Sequence, residues 1–332
     1  MCPTLSYAEN GRIMSKKHKM MKYLKLSGSM LAALSILFVV YRLYEMGVDW
    51  EGFENRYQTY LSLLILSFLA IFNNFINAFA WKQYIDFFSG EKNSTYVLGC
   101  IYLKANIQKY LPGNVVQYAG RNLLAKEYGI SQKSIAAASV MELAWISVSA
   151  VFFCAVISLQ NMRTVIRQLW SNMIIKENIK FFFALSVIVL LLGLAVLGRS
   201  KYKQTICAYL NRKFLILLGI TGLIYIFNFI VSGLLLSLIF LLIMHCEISY
   251  VSIASTNVLA WLAGYMVPGS PGGIGIREAV LILLLGTEYS KGAVTLAAVL
   301  LRICGIVGDF FSYLTALCLE LIAQKRKSRY VS

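Results

Sequence analysis

The chain alternates between long apolar stretches and short polar segments. Six stretches, at about 24–44, 57–79, 134–159, 180–198, 214–244 and 291–319, are long enough for a helix to cross hydrocarbon. A bilayer core of about 30 Å needs about 20 residues at 1.5 Å each. The run 214–244 carries no charge over 31 residues. It exceeds what a span needs and predicts tilt or an interfacial end. Two further regions, 95–127 and 249–287, read differently. Each has two shorter arms joined by a Pro-Gly break, and polar residues flank the first break. Arms of about 14–19 residues measure about 20–28 Å as helix. That predicts two short helices meeting at a tip inside the membrane. The fold expected is an all-α polytopic membrane protein, with six full transmembrane helices plus two re-entrant helical hairpins.

Three of the four prolines mark these breaks. "KANIQKYLPGNVVQYAGRNLLAKEYG" and "WLAGYMVPGSPGGIGIREAVLILLLG" both contain P-G-x7-R, from Pro112-Gly113 to Arg121 and from Pro268-Gly269 to Arg277. Each is followed by an apolar span bearing a charge, Glu142 in one and Arg302 in the other. Both halves run span, span, broken segment, span. Three full spans separate the start of one half from the start of the next, and an odd number inverts the second relative to the first. The expectation is an inverted repeat with interrupted helices. The halves are 24–160, with hairpin 95–127, and 180–320, with hairpin 249–287. The tails are 1–23 and 321–332. Ordinary Pro-Gly turns between short helices are the competing reading.

Composition agrees with a membrane protein and removes other classes. The 332 residues are 59% hydrophobic and 14% charged, with a mean hydropathy of +0.69. A disordered chain, a secreted disulfide scaffold and an ordinary soluble domain are excluded. The net charge of +16 is read through loop placement and not as nucleic-acid binding. Six Lys and Arg lie in 1–26, five in 199–213 and four in the C-terminal tail, whereas 45–56 holds only Arg56 beside four acids. The positive-inside rule puts both termini in the cytoplasm of a plasma or inner membrane, with loop 160–179 outside despite Arg163, Arg167 and Lys176. Run 24–44 is no cleaved signal peptide. It is too long, and Tyr41, Arg42, Tyr44 and Glu45 end it where an A-x-A site would stand.

The chemistry-bearing residues cluster at the breaks. A helix starting just after Gly113 or Gly273 presents free N–H groups and a partial positive charge. With Arg121 or Arg277 on that helix, the tip can bind an anion such as phosphate. The hinge and tip residues are Pro112, Gly113, Pro268, Gly269, Pro271, Gly272, Gly273 and Gly275. The glycines of "PGSPGGIG" allow close backbone approach and positive φ, or equally a tight helix crossing. Substrate-binding candidates are Arg121, Arg277, Arg302, Asn114, Gln117, Glu142 and Glu278. An Arg at mid-bilayer costs about 2.5–3.5 kcal/mol on insertion scales. Each therefore needs Glu142, Glu278, Asp309 or an anionic headgroup as partner, and a purely structural ion pair is the alternative. Arg277 and Glu278 are adjacent, point about 100° apart on a helix and do not pair with each other easily. Snorkelling to the cytoplasmic surface is one reading of Lys104 and Lys109, and the preferred one for Lys104. Trp50, Trp81 and Trp170 are read as interfacial anchors. The seven cysteines show no CxxC spacing and the two histidines are isolated, so no metal site and no cofactor are expected. No P-loop and no catalytic motif occurs.

"LPGNVVQYAGRNLLAKEYGIS" and "VPGSPGGIGIREAVLILLL" resemble the two signature stretches of the lysylphosphatidylglycerol synthase transmembrane-domain family, which includes the flippase part of the multiple peptide resistance factor. The likeness runs from about 24 to 320, and the Arg302-bearing span resembles the last Arg-bearing helix of that family. One departure is local: the family usually shows Glu-Arg in the span after the first motif, and here Leu143 follows Glu142. The chain stops soon after the last span, so a soluble synthase domain and tRNA-dependent aminoacyl transfer are not expected. The resemblance implies a lipid translocase moving an anionic lipid between leaflets. The cargo would be a phospholipid or a polyprenyl-phosphate-linked glycan carrier. The alternative is a non-transporting subunit that presents lipid to a separate synthase or glycosyltransferase. An enzyme acting on the lipid ranks below both.

Overall fold

The computed structural model describes residues 56–110, 116–126, 128–159, 163, 211–266, 273 and 275–329. The described residues form eight α-helices and one 3-10 turn, with no strand. They are α1 (Arg56–Ser89), α2 (Thr95–Asn106), the 3-10 turn Ile107–Tyr110, α3 (Val116–Lys126), α4 (Gln132–Ile157), α5 (Arg212–Leu242), α6 (Tyr250–Met266), α7 (Ile276–Leu285) and α8 (Lys291–Arg329). Four helices are long and apolar enough to cross a membrane: Thr59–Ser89 of α1, α4, α5 and Lys291–Ala323 of α8. They coincide with four of the six expected spans. The runs 24–44 and 180–198, the tail 1–23 and residues 330–332 lie outside the described residues, while 321–329 of the expected tail 321–332 continue α8.

The order long, short, short, long occurs twice. Helices α1 to α4 have 34, 12, 11 and 26 residues, and α5 to α8 have 31, 17, 10 and 39. At 1.5 Å per residue α2, α3 and α7 measure only about 15–18 Å, too short to span alone. Within each set, consecutive helices pack against one another: α2 on α3, α3 on α4, α6 on α7 and α7 on α8. Helix starts follow local chemistry. Ser94 caps α2 by accepting from Val97 N–H at 3.4 Å, and Asn211 caps α5 by accepting from Phe214 N–H at 3.0 Å.

The long helices turn apolar side chains outward, as a membrane environment requires. Phe68 and Phe72 of α1, Val151 and Phe152 of α4 and Leu215 and Leu223 of α5 are exposed. The inward faces of the same helices bury Leu66, Phe153, Tyr225 and Leu236. Without a strong hydrophobic drive between helices in lipid, close backbone approach supplies the packing. Gly308 of α8 shows this. A Cβ there would stand 2.7 Å from Ala70 Cβ of α1.

One expectation fails at α1. The helix does not stop near residue 79 but runs to Ser89, and Trp81, Tyr84 and Ile85 are fully buried. Trp81 is therefore no interfacial anchor. It packs at 5.9 Å from the Tyr102 ring and under Arg121. Trp50 and Trp170 lie outside the described residues.

Candidate functional site

The inner faces of the helices enclose a cavity of about 320 Å³. Arg121, Arg277, Arg302, Glu142, Glu278 and Gln117 all line it. These six expected site residues, spread from position 117 to 302, are thus brought to one place. Asn114 and the tip residues Pro112, Gly113, Pro268, Gly269, Pro271 and Gly272 lie outside the described residues. Gly273 and Gly275 are described, and both have the left-handed backbone the sequence anticipated, with φ of +74° and +86°.

The three arginines have unequal surroundings. Arg121, on α3, is 1% exposed and pairs through Nη1 with Glu142 Oε2 on α4. Its guanidinium also lies 3.9 Å from the Tyr102 ring centre, 5.0 Å from Tyr118 and 5.3 Å from Trp81. A planar delocalised cation suits such an aromatic enclosure. Tyr102 O–H donates to the other Glu142 oxygen at 3.3 Å. Arg302, on α8, pairs through Nε with Glu278 Oε1 on α7 at 2.5 Å. The second Glu278 oxygen accepts from Gly275 N–H at 2.6 Å, closing the first turn of α7. Arg302 Nη2 has no hydrogen-bond partner among the described residues.

Arg277 differs from both. Among the described residues it forms no ion pair, and its Nε has no hydrogen-bond partner. Two glycines cradle its stem. A Cβ on Gly264 of α6 would stand 2.7 Å from Arg277 Cγ, and one on Gly273 would stand 2.8 Å from Nε. Glu278 is turned toward Arg302, as the 100° step between neighbours requires. The cavity is thus lined by an arginine with no ion pair among the described residues, its stem fixed in place by backbone that only glycine permits this close.

A third charged centre forms around a residue that the sequence offered only as a partner for an arginine. Asp309 of α8, 2% exposed, accepts from Asn74 Nδ2 at 2.9 Å and Asn106 Nδ2 at 2.8 Å. Its other oxygen accepts from Tyr110 O–H and pairs with Lys109 Nζ at 2.7 Å. Lys109 is therefore tied to the cavity wall and does not merely snorkel. Lys104 is likewise paired, with Glu320 at 2.5 Å. Asparagines of three helices complete the lining: Asn73, Asn74 and Asn77 of α1, Asn228 of α5 and Asn257 of α6. Their spacing in α1, at i, i+1 and i+4, was a usable signal of one polar face.

The formal charge of the lining follows directly. Lys109, Arg121, Arg277 and Arg302 give four positive charges against three negative from Glu142, Glu278 and Asp309, a net of +1. Such a wall attracts an anion, and among the described residues the charge without an ion pair is on Arg277.

Residues 28–310 match the family model described as "Lysylphosphatidylglycerol synthase TM region". No curated protein matches the chain.

Proposed function

From the premise that the chain belongs to the lysylphosphatidylglycerol synthase transmembrane-region family, an integral membrane family tied to lipid, we propose that it is a lipid translocase. It moves the phosphate-bearing headgroup of an anionic lipid between leaflets through the cavity. The observation that carries this reading is Arg277: a cation inside a membrane bundle, lining the cavity, with no ion-pair partner among the described residues. An intramembrane Arg is expensive and persists where a partner or a function compensates it. A phosphate supplies that partner, with the geometry that guanidinium binds best.

The two pairs of short helices are the gates of this reading. Re-entrant hairpins 95–127 and 249–287, entering from opposite sides in an inverted repeat, would expose the cavity to each leaflet in turn. Six full spans, a plasma-membrane location and cytoplasmic termini complete the proposal.

The test is translocation in liposomes holding the purified full chain, comparing wild type with Arg277→Gln. Arg277 has no ion-pair partner among the described residues, so its neutralisation orphans no carboxylate and the variant folds. Headgroup flipping is expected to vanish. Flipping at the wild-type rate in the variant refutes the assignment. Absence of flipping by the wild type, with a synthase or glycosyltransferase co-purifying, favours the accessory-subunit alternative.

A further inference from the structure

Lys109, Arg121, Arg277 and Arg302 line the cavity, and the acids beside them depend on them unequally. Arg121 and Arg302 each serve a carboxylate oxygen that has no other donor among the described residues, Oε2 of Glu142 and Oε1 of Glu278. Either arginine, on leaving, would bare an oxygen shielded from water, which is costly. The acid beside Lys109 is better supplied. Oδ1 of Asp309 accepts from Asn74 and Asn106, and Oδ2 accepts from Tyr110 as well as from Lys109. The neutral donors are placed without help from the lysine. Asn74 Nδ2 also donates to Ser312 Oγ at 3.1 Å, and Asn106 Nδ2 to Asn74 Oδ1 at 3.2 Å. With Lys109 gone, both oxygens of Asp309 stay engaged, and hydrogen bonds of this kind stabilise a carboxylate.

Lys109 is also the accessible member of the set. Its side chain is 33% exposed, against 2% for Arg121 and 17% for Arg302. An ammonium on a four-carbon stem can swing between partners, where a guanidinium is a rigid fork. Lys109 stands in the 3-10 turn Ile107–Tyr110, a form of helix that often marks a hinge, just before the Pro112 break. Its neighbour Tyr110 feels the charges of both Arg277 and Arg302. The Asp309 cluster therefore borders the arginine side of the cavity.

We propose that Lys109 is an exchangeable ligand of the phosphate, held by Asp309 while the cavity is empty and drawn off it by an anion seated at Arg277. This rests on the phosphate reading above and adds a second ligand from the other half of the chain. The anion then joins hairpin 95–127, through Lys109, to hairpin 249–287, through Arg277.

The experiment measures phosphatidic acid binding to the full chain by native mass spectrometry from phosphatidylcholine nanodiscs. Lys109→Gln is expected to weaken binding about tenfold, the scale of one charge-assisted contact. Its melting stays close to wild type, because Asp309 keeps three neutral donors. Asp309→Asn is expected to tighten binding about threefold or more, since an amide nitrogen facing Lys109 accepts nothing from it and frees the ammonium. In the Lys109→Gln background the same change is expected to have no effect. Equal tightening in both backgrounds would reduce the result to the overall charge of the cavity and overturn the inference, as would wild-type binding by Lys109→Gln. Should Asp309→Asn misfold, Lys109→Arg takes its place. It keeps a cation and is expected to bind within about threefold of wild type, and a loss equal to that of Lys109→Gln overturns the inference. Inorganic phosphate distinguishes the source of the anion. Phosphatidic acid is expected to stay bound against an equal concentration of it, and displacement would assign the site to the free ion and overturn the lipid reading. If binding depends on Arg277 and not on Lys109, this inference alone falls. If the wild type does not bind phosphatidic acid, the phosphate reading falls with it.

Discussion

Arg121 and Arg277 stand at the same distance after a Pro-Gly, and their surroundings are opposite. In the first half the following long helix offers Glu142, and Arg121 closes on it, 21 residues away, inside an aromatic enclosure. In the second half the corresponding position is Arg302, a like charge. The acid instead lies one residue beyond Arg277, and Glu278 takes Arg302 across 24 residues. Both halves therefore tie a short helix to the next long one by an ion pair. Only the second does so with the neighbour of the motif arginine, which leaves that arginine over. A motif shared by two halves thus marks a position and not a role. The role is decided by the charge that the next helix brings.

The first way to break this comparison is to remove Glu142. A buried pair that loses one partner keeps an uncompensated charge, which costs about 3–5 kcal/mol. Glu142→Gln is expected to lower the thermal melting point in detergent more than any change at the second pair. The double variant Arg121→Leu with Glu142→Leu recovers most of the loss, because buried pairs replaced by apolar groups are often near neutral. A mild effect of the single change would mean that Tyr102, Tyr118 and Trp81 hold Arg121 without the carboxylate.

The second way makes the halves alike. Glu278→Gln combined with Arg302→Glu puts an acid where the first half has Glu142, and takes the cavity from +1 to 0. Arg277 would then pair as Arg121 does. The expected result is loss of phosphatidic acid binding, read by native mass spectrometry, with melting within about 2 kcal/mol of wild type, the scale of one exchanged hydrogen-bonded pair. Retained binding would show that Arg277 is not the phosphate ligand.

A third variant leaves every charge in place and moves one of them. Gly264→Ala would bring a methyl group to 2.7 Å from Arg277 Cγ. Overpacking of this kind costs about 1–3 kcal/mol, and the guanidinium would shift from the cavity. Weaker phosphatidic acid binding with a modest melting shift is expected. Unchanged binding would show that the cradle of Gly264 and Gly273 does not set the position of the charge.

The unequal fates of the candidates show what a sequence of this kind carries. Residues 134–159, 214–244 and 291–319 announced helices because nothing else keeps such long apolar runs, and α4, α5 and α8 occupy them. The arginines stood out because a charge among apolar residues is costly enough to demand a reason. The asparagines of α1 did not stand out. A carboxamide is a far smaller expense than an ion, and only their shared face shows them to be a set. Asp309 was recognised as a partner and not as a centre, because its donors come from α1, α2 and the 3-10 turn, and no local spacing records that meeting. Trp81 misled for a related reason. Near the end of an apolar run it has the place of an interfacial anchor, while its burial depends on Arg121, forty positions later.

The smallest effect belongs to the pair outside the cavity. Lys104 of α2 reaches Glu320 of α8 at 2.5 Å, with side chains 14% and 19% exposed. Tyr128 O–H also donates to Glu320, at 3.5 Å. Partly solvated pairs of this kind are worth about 0–1 kcal/mol, since solvent screens the attraction and two long side chains must be ordered. Unlike Arg121 and Glu142, either partner can turn to water when the other is removed. Glu320→Gln is therefore expected to leave phosphatidic acid binding unchanged and to shift melting only slightly, more at low salt than at high. A large, salt-independent loss would place this pair with the buried one. The division between pairs that hold the bundle and cations that serve the cavity would then have to be redrawn around α2.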